Sequence, residues 1–306
     1  MTLAIHTRAL HKRYGSHTAL HGLDLSVQTG SVFGLIGPNG AGKTTTLRLL
    51  LDIIRPTSGE ITVLGRSPRT DGAALRRRIG FVPGELRLEG RVRGCALLRH
   101  LAEISGPVAP GTIEQLAERL GLDLSRPVRT LSKGNKQKLG LVQAFMHRPD
   151  LLVLDEPTSG LDPLVQREFL AMVREARDAG QTVLLSSHVL SEIQQAADEV
   201  AVLADGRVVA DGPVSALRIA SVRRLRATVT DVAAETVREA LGRVPGVEDI
   251  DVAAAGDLVR VAATARGDID PVIRAVALGT VRDLTVEEPD LEESVLDLYA
   301  RNGASS

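Results

Sequence analysis

With 306 residues the chain is long enough for one large domain plus a smaller one, or for two of medium size. Its 37 Lys and Arg against 38 Asp and Glu give a formal net charge of −1, without the basic excess of a nucleic-acid binder, so nucleic acid is not an expected partner. No run reaches the ~18 apolar residues of a spanning helix, MTLAIHTRALHKRYG lacks a signal-peptide pattern, and a single Cys95 excludes an internal disulfide, so a cytosolic chain is expected with Cys95 as a small buried apolar residue.

Tyr14, in HKRYGSHTAL, is one of only six aromatic residues and by itself reads as a turn residue with its hydroxyl in water. His6, His11, His17 and His21 surround it without metal-ligand spacing and read as solvated. SVFGLIG, residues 31–37, is a short apolar run ending in glycines, and TTTLRLLLDII, residues 44–54, is helix-compatible, so the order is strand, phosphate loop, helix. Between them GPNGAGKTT supplies Gly37, Pro38, Asn39, Gly40, Ala41, Gly42, Lys43, Thr44 and Thr45 as the nucleotide cradle. Side chains at Gly37, Gly40 and Gly42 would obstruct the inward-facing N–H groups. Lys43 then neutralises the β- and γ-phosphates, and Thr44 is placed to ligate Mg²⁺.

Another apolar strand ends in IGFVPGELRLEG and runs into a stretch bearing Arg87, Arg91, Arg93 and Arg99. Further on, LSKGNKQK precedes a segment of helical spacing, which puts Ser132, Gly134 and Asn135 at a helix N-terminus, where an anion is favoured. LLVLD, residues 151–155, reads as a buried parallel strand whose acid must meet something positive. Asp155 would hold the metal and Glu156 would act as general base, unless the pair caps a helix after Pro157. TVLLSSH closes another apolar strand with the lone His188, which by itself reads as a hydrogen-bonded structural residue.

GPNGAGKTT, LSKGNKQK, LLVLDEPTSGLDP and His188, in that order, resemble the ATP-binding-cassette ATPases over roughly the first 215 residues. The resemblance implies an α/β fold: a P-loop NTPase nucleotide-binding domain with a RecA-like core, a helical subdomain at about 85–148 and an N-terminal antiparallel β part. It implies that Tyr14 stacks on adenine, that His188 contacts the γ-phosphate or orients the water, and that Ser132, Gly134 and Asn135 reach ATP held by an opposite cassette. A head-to-tail homodimer, or a pair with a paralogous cassette, would therefore sandwich ATP and Mg²⁺, with SGLD at residues 159–162 on the same interface. Two departures stand out. Lys133 and Asn135 replace the usual Gly and Gln, and Gly84 occupies the slot of the family's glutamine, leaving Glu85 as a metal-proximal or merely exposed acid. The arginine-rich stretch lies where relatives dock a membrane subunit, or is a solvated face.

Residues 1–218 are thus expected to form the ATP-binding domain and 219–224 a basic linker. Residues 225–301 should form a small α+β accessory domain in β-α-β-β-α-β order plus a final helix, and 302–306 a disordered tail. The C-terminal extension, with EEPDLEESVLDLY near its end, together with SKGNKQKLGL upstream, resembles the ATPase subunits of bacterial multidrug and antibiotic-resistance exporters whose membrane-spanning subunit is a separate chain. The resemblance implies an ATPase on the cytoplasmic face of the membrane, attached through a polytopic permease that touches the substrate. Import, an ATP-switched regulatory module, and a ribosome- or DNA-associated cassette ATPase are the alternatives. The last usually carries two cassettes or a long coiled-coil insertion, and neither is present here.

Overall fold

The apolar runs at 32–36, 151–155 and 182–187 show no polar alternation, and in the computed structural model, which describes residues 2–86, 88–215 and 222–287, each is buried along its whole length. Fully buried strands need cover on both faces, which is the condition of a parallel sheet. The half-exposed strands come first: β1 (Leu3–Tyr14) and β2 (His17–Gln28) form a hairpin that is joined by β4 (Ser58–Val63) in an antiparallel three-stranded sheet, order β2-β1-β4. The buried runs are β3 (Val32–Ile36), β6 (Leu151–Asp155) and β7 (Thr182–Ser187). With β5 (Ile79–Val82), β8 (Glu199–Ala204) and β9 (Arg207–Pro213) they form a six-stranded sheet, order β5-β6-β7-β3-β8-β9.

The pairs β5–β6, β6–β7, β7–β3 and β3–β8 are parallel, so their C-terminal ends open on one edge. Leu35, Val153 and Leu184 are fully out of water in one core with Ile5, Leu25 and Leu47, each worth ~1.5–3 kcal/mol. Strand β3 feeds α1 (Lys43–Leu50), which stops short of the helix-compatible Ile54 because Asp52 turns left-handed at φ 54° and Pro56 follows. The short α2 (Pro68–Arg76) leads back to β5.

Between β5 and β6 lie α3 (Gly94–Ser105), α4 (Thr112–Arg119) and α5 (Lys133–Phe145), followed after β6 by α6 (Pro163–Asp178) and after β7 by α7 (Leu190–Ala196). Arg119 fastens α4 to α6. Its Nε donates to Glu168 at 2.5 Å and its two terminal nitrogens grip Glu175 at 2.7 and 2.8 Å. Cys95, expected buried, is half-exposed near the start of α3.

The chain divides into two compact units at Gly212–Pro213, earlier than the boundary read at 218. In the second unit β10 (Val222–Thr230), α8 (Ala234–Gly242), β11 (Val247–Ala255), β12 (Leu258–Arg266), α9 (Asp270–Val276) and β13 (Thr280–Glu287) follow the expected β-α-β-β-α-β order. The antiparallel sheet runs β11-β12-β10-β13, and the β11–β12 hairpin turns at Gly256. Residues 222–224 are strand rather than linker. Arg224 and Arg226 are exposed while Leu225, Ala227 and Val229 are buried, so what reads as a basic connector is the start of an alternating strand. Arg87, the rest of the linker, the expected helix at 291–300 and the tail at 302–306 lie outside the described residues.

Candidate functional site

The loop after β3 is shaped by glycines for two different reasons. A Cβ on Gly37 would stand 2.2 Å from the Leu203 carbonyl oxygen, and one on Gly42 would stand 2.7 Å from Leu20 Cδ2. At Gly40 there is open space, so the expected obstruction is absent; that position needs glycine for its left-handed backbone, φ 86°. Pro38 is half-buried, Asn39 exposed and Ala41 buried. Lys43 opens α1 with only 6% of its side chain exposed, and its ammonium donates to the carbonyls of Gly37 and Pro38. Thr44 and Thr45, half-buried, share that first turn.

Across the sheet edge Lys43 Nζ meets Glu156 Oε1 at 3.4 Å, while His188 Nδ1 lies 2.6 Å from Glu156 Oε2. Lys43, Glu156 and His188 therefore form one chain of contacts. Oε1 is buried and, apart from the Lys43 ammonium at 3.4 Å, meets no hydrogen-bonding partner. The acid pair does not cap a helix after Pro157: α6 begins at Pro163, and Asp162 caps it by accepting from the N–H groups of Leu164 and Val165. Asp155, 1% exposed, accepts a 2.6 Å hydrogen bond from the Ser186 hydroxyl through Oδ1. Its Oδ2 faces Gly84, where a Cβ would approach within 3.2 Å. Glycine in the slot of the family's glutamine thus leaves room beside Asp155.

Sequence reasoning passed over Ser186. The available signal was a pair of hydroxyls, Ser186 and Ser187, ending a wholly buried apolar strand, where each must find a partner. Ser187 donates to Glu192 at 2.8 Å.

Ser132 caps α5, its hydroxyl accepting from Asn135 N–H at 3.3 Å. Gly134 packs so closely that a Cβ would sit 2.6 Å from the Gly160 carbonyl oxygen. Lys133 Nζ donates to Ser159 Oγ at 3.3 Å, and Gln137, also passed over, hydrogen-bonds the backbone next to Glu156. Glu85 is exposed and lines a cavity of about 400 Å³ with Glu89, Lys133, Lys136 and Gln137. Tyr14 ends β1 at the hairpin, 45% exposed, with the Lys12 ammonium 4.7 Å from its ring centroid, and makes none of the contacts that join Lys43, Glu156 and His188. Arg91, Arg93 and Arg99 are exposed.

The family model described as "ABC transporter" matches residues 20–159. The chain is 35% identical over 234 residues to the bacitracin transport ATP-binding protein BcrA of Bacillus licheniformis, covering 76% of each. It is 38% identical over 233 residues to the daunorubicin/doxorubicin resistance ATP-binding protein DrrA of Streptomyces peucetius, covering 74% of this chain and 71% of that one. A solved ATP-binding subunit of an ABC transporter superposes with a TM-score of 0.66 at 31% identity, covering 71% of this chain and 92% of its own.

Proposed function

The chain belongs to the ABC transporter ATP-binding proteins, and from that membership we propose that it drives the export of a drug, antibiotic or lipid-like molecule through a separate transmembrane subunit. It binds and hydrolyses ATP as the nucleotide-binding subunit of a membrane transporter. The exporter reading is supported by the relatives named for bacitracin transport and daunorubicin resistance. The catalytic reading rests on one observation, the contact chain from Lys43 through Glu156 to His188.

Phosphoryl transfer leaves the protein little covalent chemistry, so catalysis here is positioning and charge neutralisation. Backbone N–H groups of the glycine loop and the Lys43 ammonium would receive the β- and γ-phosphates, while Tyr14 offers its exposed ring to adenine. Glu156 takes up a proton from the attacking water on Oε1, the oxygen with no hydrogen bond, while His188 fixes the direction of the carboxylate through Oε2. Asp155 Oδ2 faces Gly84, where no side chain intervenes, which fits a carboxylate free to hold Mg²⁺, an ion that takes one or two protein ligands plus phosphate and water. Thr44 and Asp155 would hold it, and when bound it neutralises charge on the phosphates. Glu85 shares its cavity with Lys133 and Lys136, which favours a role toward those lysines over metal ligation.

Ser132, Gly134 and Asn135 would engage ATP held by a second cassette, a copy of this chain or a paralogue. The groove lined by Leu51, Arg76, Arg77 and Phe81, with Ile53 and Ile104 each 55% exposed, is the surface we assign to the permease. Among the described residues no helix is long and apolar enough to cross a membrane, so attachment to the cytoplasmic face would come through that partner.

Affinity purification from detergent-solubilised membranes is the test: a polytopic protein in equal stoichiometry is expected, and recovery of only ribosomal or other non-membrane proteins would end the exporter reading. Glu156→Gln should keep ATP affinity and trap the ATP-bound dimer, and steady turnover by that variant would refute the role given to Glu156. Lys43→Ala should lose nucleotide affinity by tenfold or more, about 1.4 kcal/mol, in an equilibrium titration.

A further inference from the structure

Gln137 is only 3% exposed, in the first turns of α5. A primary amide taken out of water must spend its donors on acceptors. Its Nε2 donates to the Pro157 carbonyl at 3.0 Å and reaches the Glu156 carbonyl at 3.5 Å. Glu156 is a non-glycine residue in the left-handed region, φ 47°, a conformation that persists only where the surroundings impose it. From the opposite side the Glu156 N–H is held by both the carbonyl and the hydroxyl of Ser186, each at 3.2 Å. The strained residue is therefore gripped by β7 at its nitrogen and by α5 at its carbonyl. Two further contacts brace the same pair of segments: Gly134 against the Gly160 carbonyl, and Lys133 to Ser159.

We propose that Gln137 is a positioning residue for ATP hydrolysis: by holding the carbonyls of Glu156 and Pro157 it sets the direction of the Glu156 carboxylate, so a shift of α5 is transmitted to the base. The proposal rests on Glu156 being that base. Its consequence is a mechanical link, because the helix that begins with Ser132 and meets the neighbouring subunit's nucleotide also orients its own subunit's catalytic carboxylate.

The test is single-turnover cleavage of ATP by the full chain in excess over nucleotide, with an equilibrium ATP titration and a thermal unfolding curve for each variant. Gln137→Met matches the length without donors; because it leaves the buried Pro157 carbonyl without its partner, some stability is lost, and the unfolding curve reads that loss apart from the rate. Its cleavage rate should fall about tenfold to a hundredfold, the scale of a small misplacement, while ATP affinity stays within about twofold. Gln137→Glu supplies a second arm that survives misfolding of the first. Ionised, it can only accept and so repels the two carbonyls; protonated, it can donate, and its rate should recover on acidification relative to the unsubstituted chain. Cleavage by Gln137→Met at the original rate, parallel loss of rate and affinity, or a pH profile of Gln137→Glu like that of the unsubstituted chain would each overturn the proposal. Glu156→Gln separates the two readings: if it turns over normally, the base assignment fails, whereas an inert Glu156→Gln beside a fully active Gln137→Met removes only Gln137.

Discussion

Gly37 and Gly40 lie in the same short loop, yet substitution at each should fail differently. Alanine at Gly37 drives a methyl into a backbone carbonyl at 2.2 Å, which no side-chain rotation relieves, so about 2 kcal/mol or more of stability should be lost. Alanine at Gly40 meets nothing and bears only the left-handed backbone, about 1–2 kcal/mol. Urea unfolding of the two variants checks the order, and a larger loss at Gly40 would contradict it. The glycine pattern was legible from spacing; these reasons were not, because Leu203 and Leu20 come from distant strands. Asp155, Glu156 and His188 could be picked out because they stand at or just beyond the end of an apolar run, and Lys43 because the glycine spacing leads to it. Gln137 was not legible, since its partners are backbone carbonyls that no local motif announces, and for Ser186 the paired hydroxyls ending β7 signal that a partner is needed without saying that it is Asp155.

At the level of elements, α4 and α6 are fastened through one guanidinium. The hydrogen bond from Arg119 holds the Glu175 carboxyl below its ordinary range. A depressed carboxylate binds its proton more weakly folded than unfolded, so its contribution is fully present above the ordinary value of about 4.3 and is lost as pH falls through the lowered one. Arg119→Met should therefore cost about 1 kcal/mol or less at neutral pH, since Glu175 is 62% exposed and screened. In acid the variant should lose less stability than the parent; denaturant titrations at both pH values decide, and equal acid sensitivity would exclude this pairing as a source. No sequence pattern pointed to Arg119, because its partners lie beyond the whole of α5 and β6. The start of strand β10 differs for a complementary reason. The alternation from Leu225 onward is visible in the sequence, but Arg223 and Arg224 make the residues before it look like a linker, and only their pairing with Ala265 and Thr264 of β12 shows them to be strand.

The molecule as a whole consists of two units, each with a core of its own, the second built around Leu225, Val229, Val237 and Val261. A chain ending at Ser215 should accordingly bind ATP with unchanged affinity and unfold cooperatively. Loss of nucleotide binding in that truncation would mean that the cassette depends on the second unit. The order β5-β6-β7-β3-β8-β9 has a further consequence, in time rather than space. Strand β3, at residues 32–36, takes its neighbours from residues 182–187 and 199–204. A ribosome adding ~5–20 residues per second needs roughly ten to thirty seconds to supply them after β3 has been made. The antiparallel sheet β2-β1-β4 is complete by Val63, so it can form early, while the strand carrying the phosphate loop waits for its neighbours. ATP can act on the nascent chain only near the end of that interval, which leaves it no part in guiding the first steps of folding.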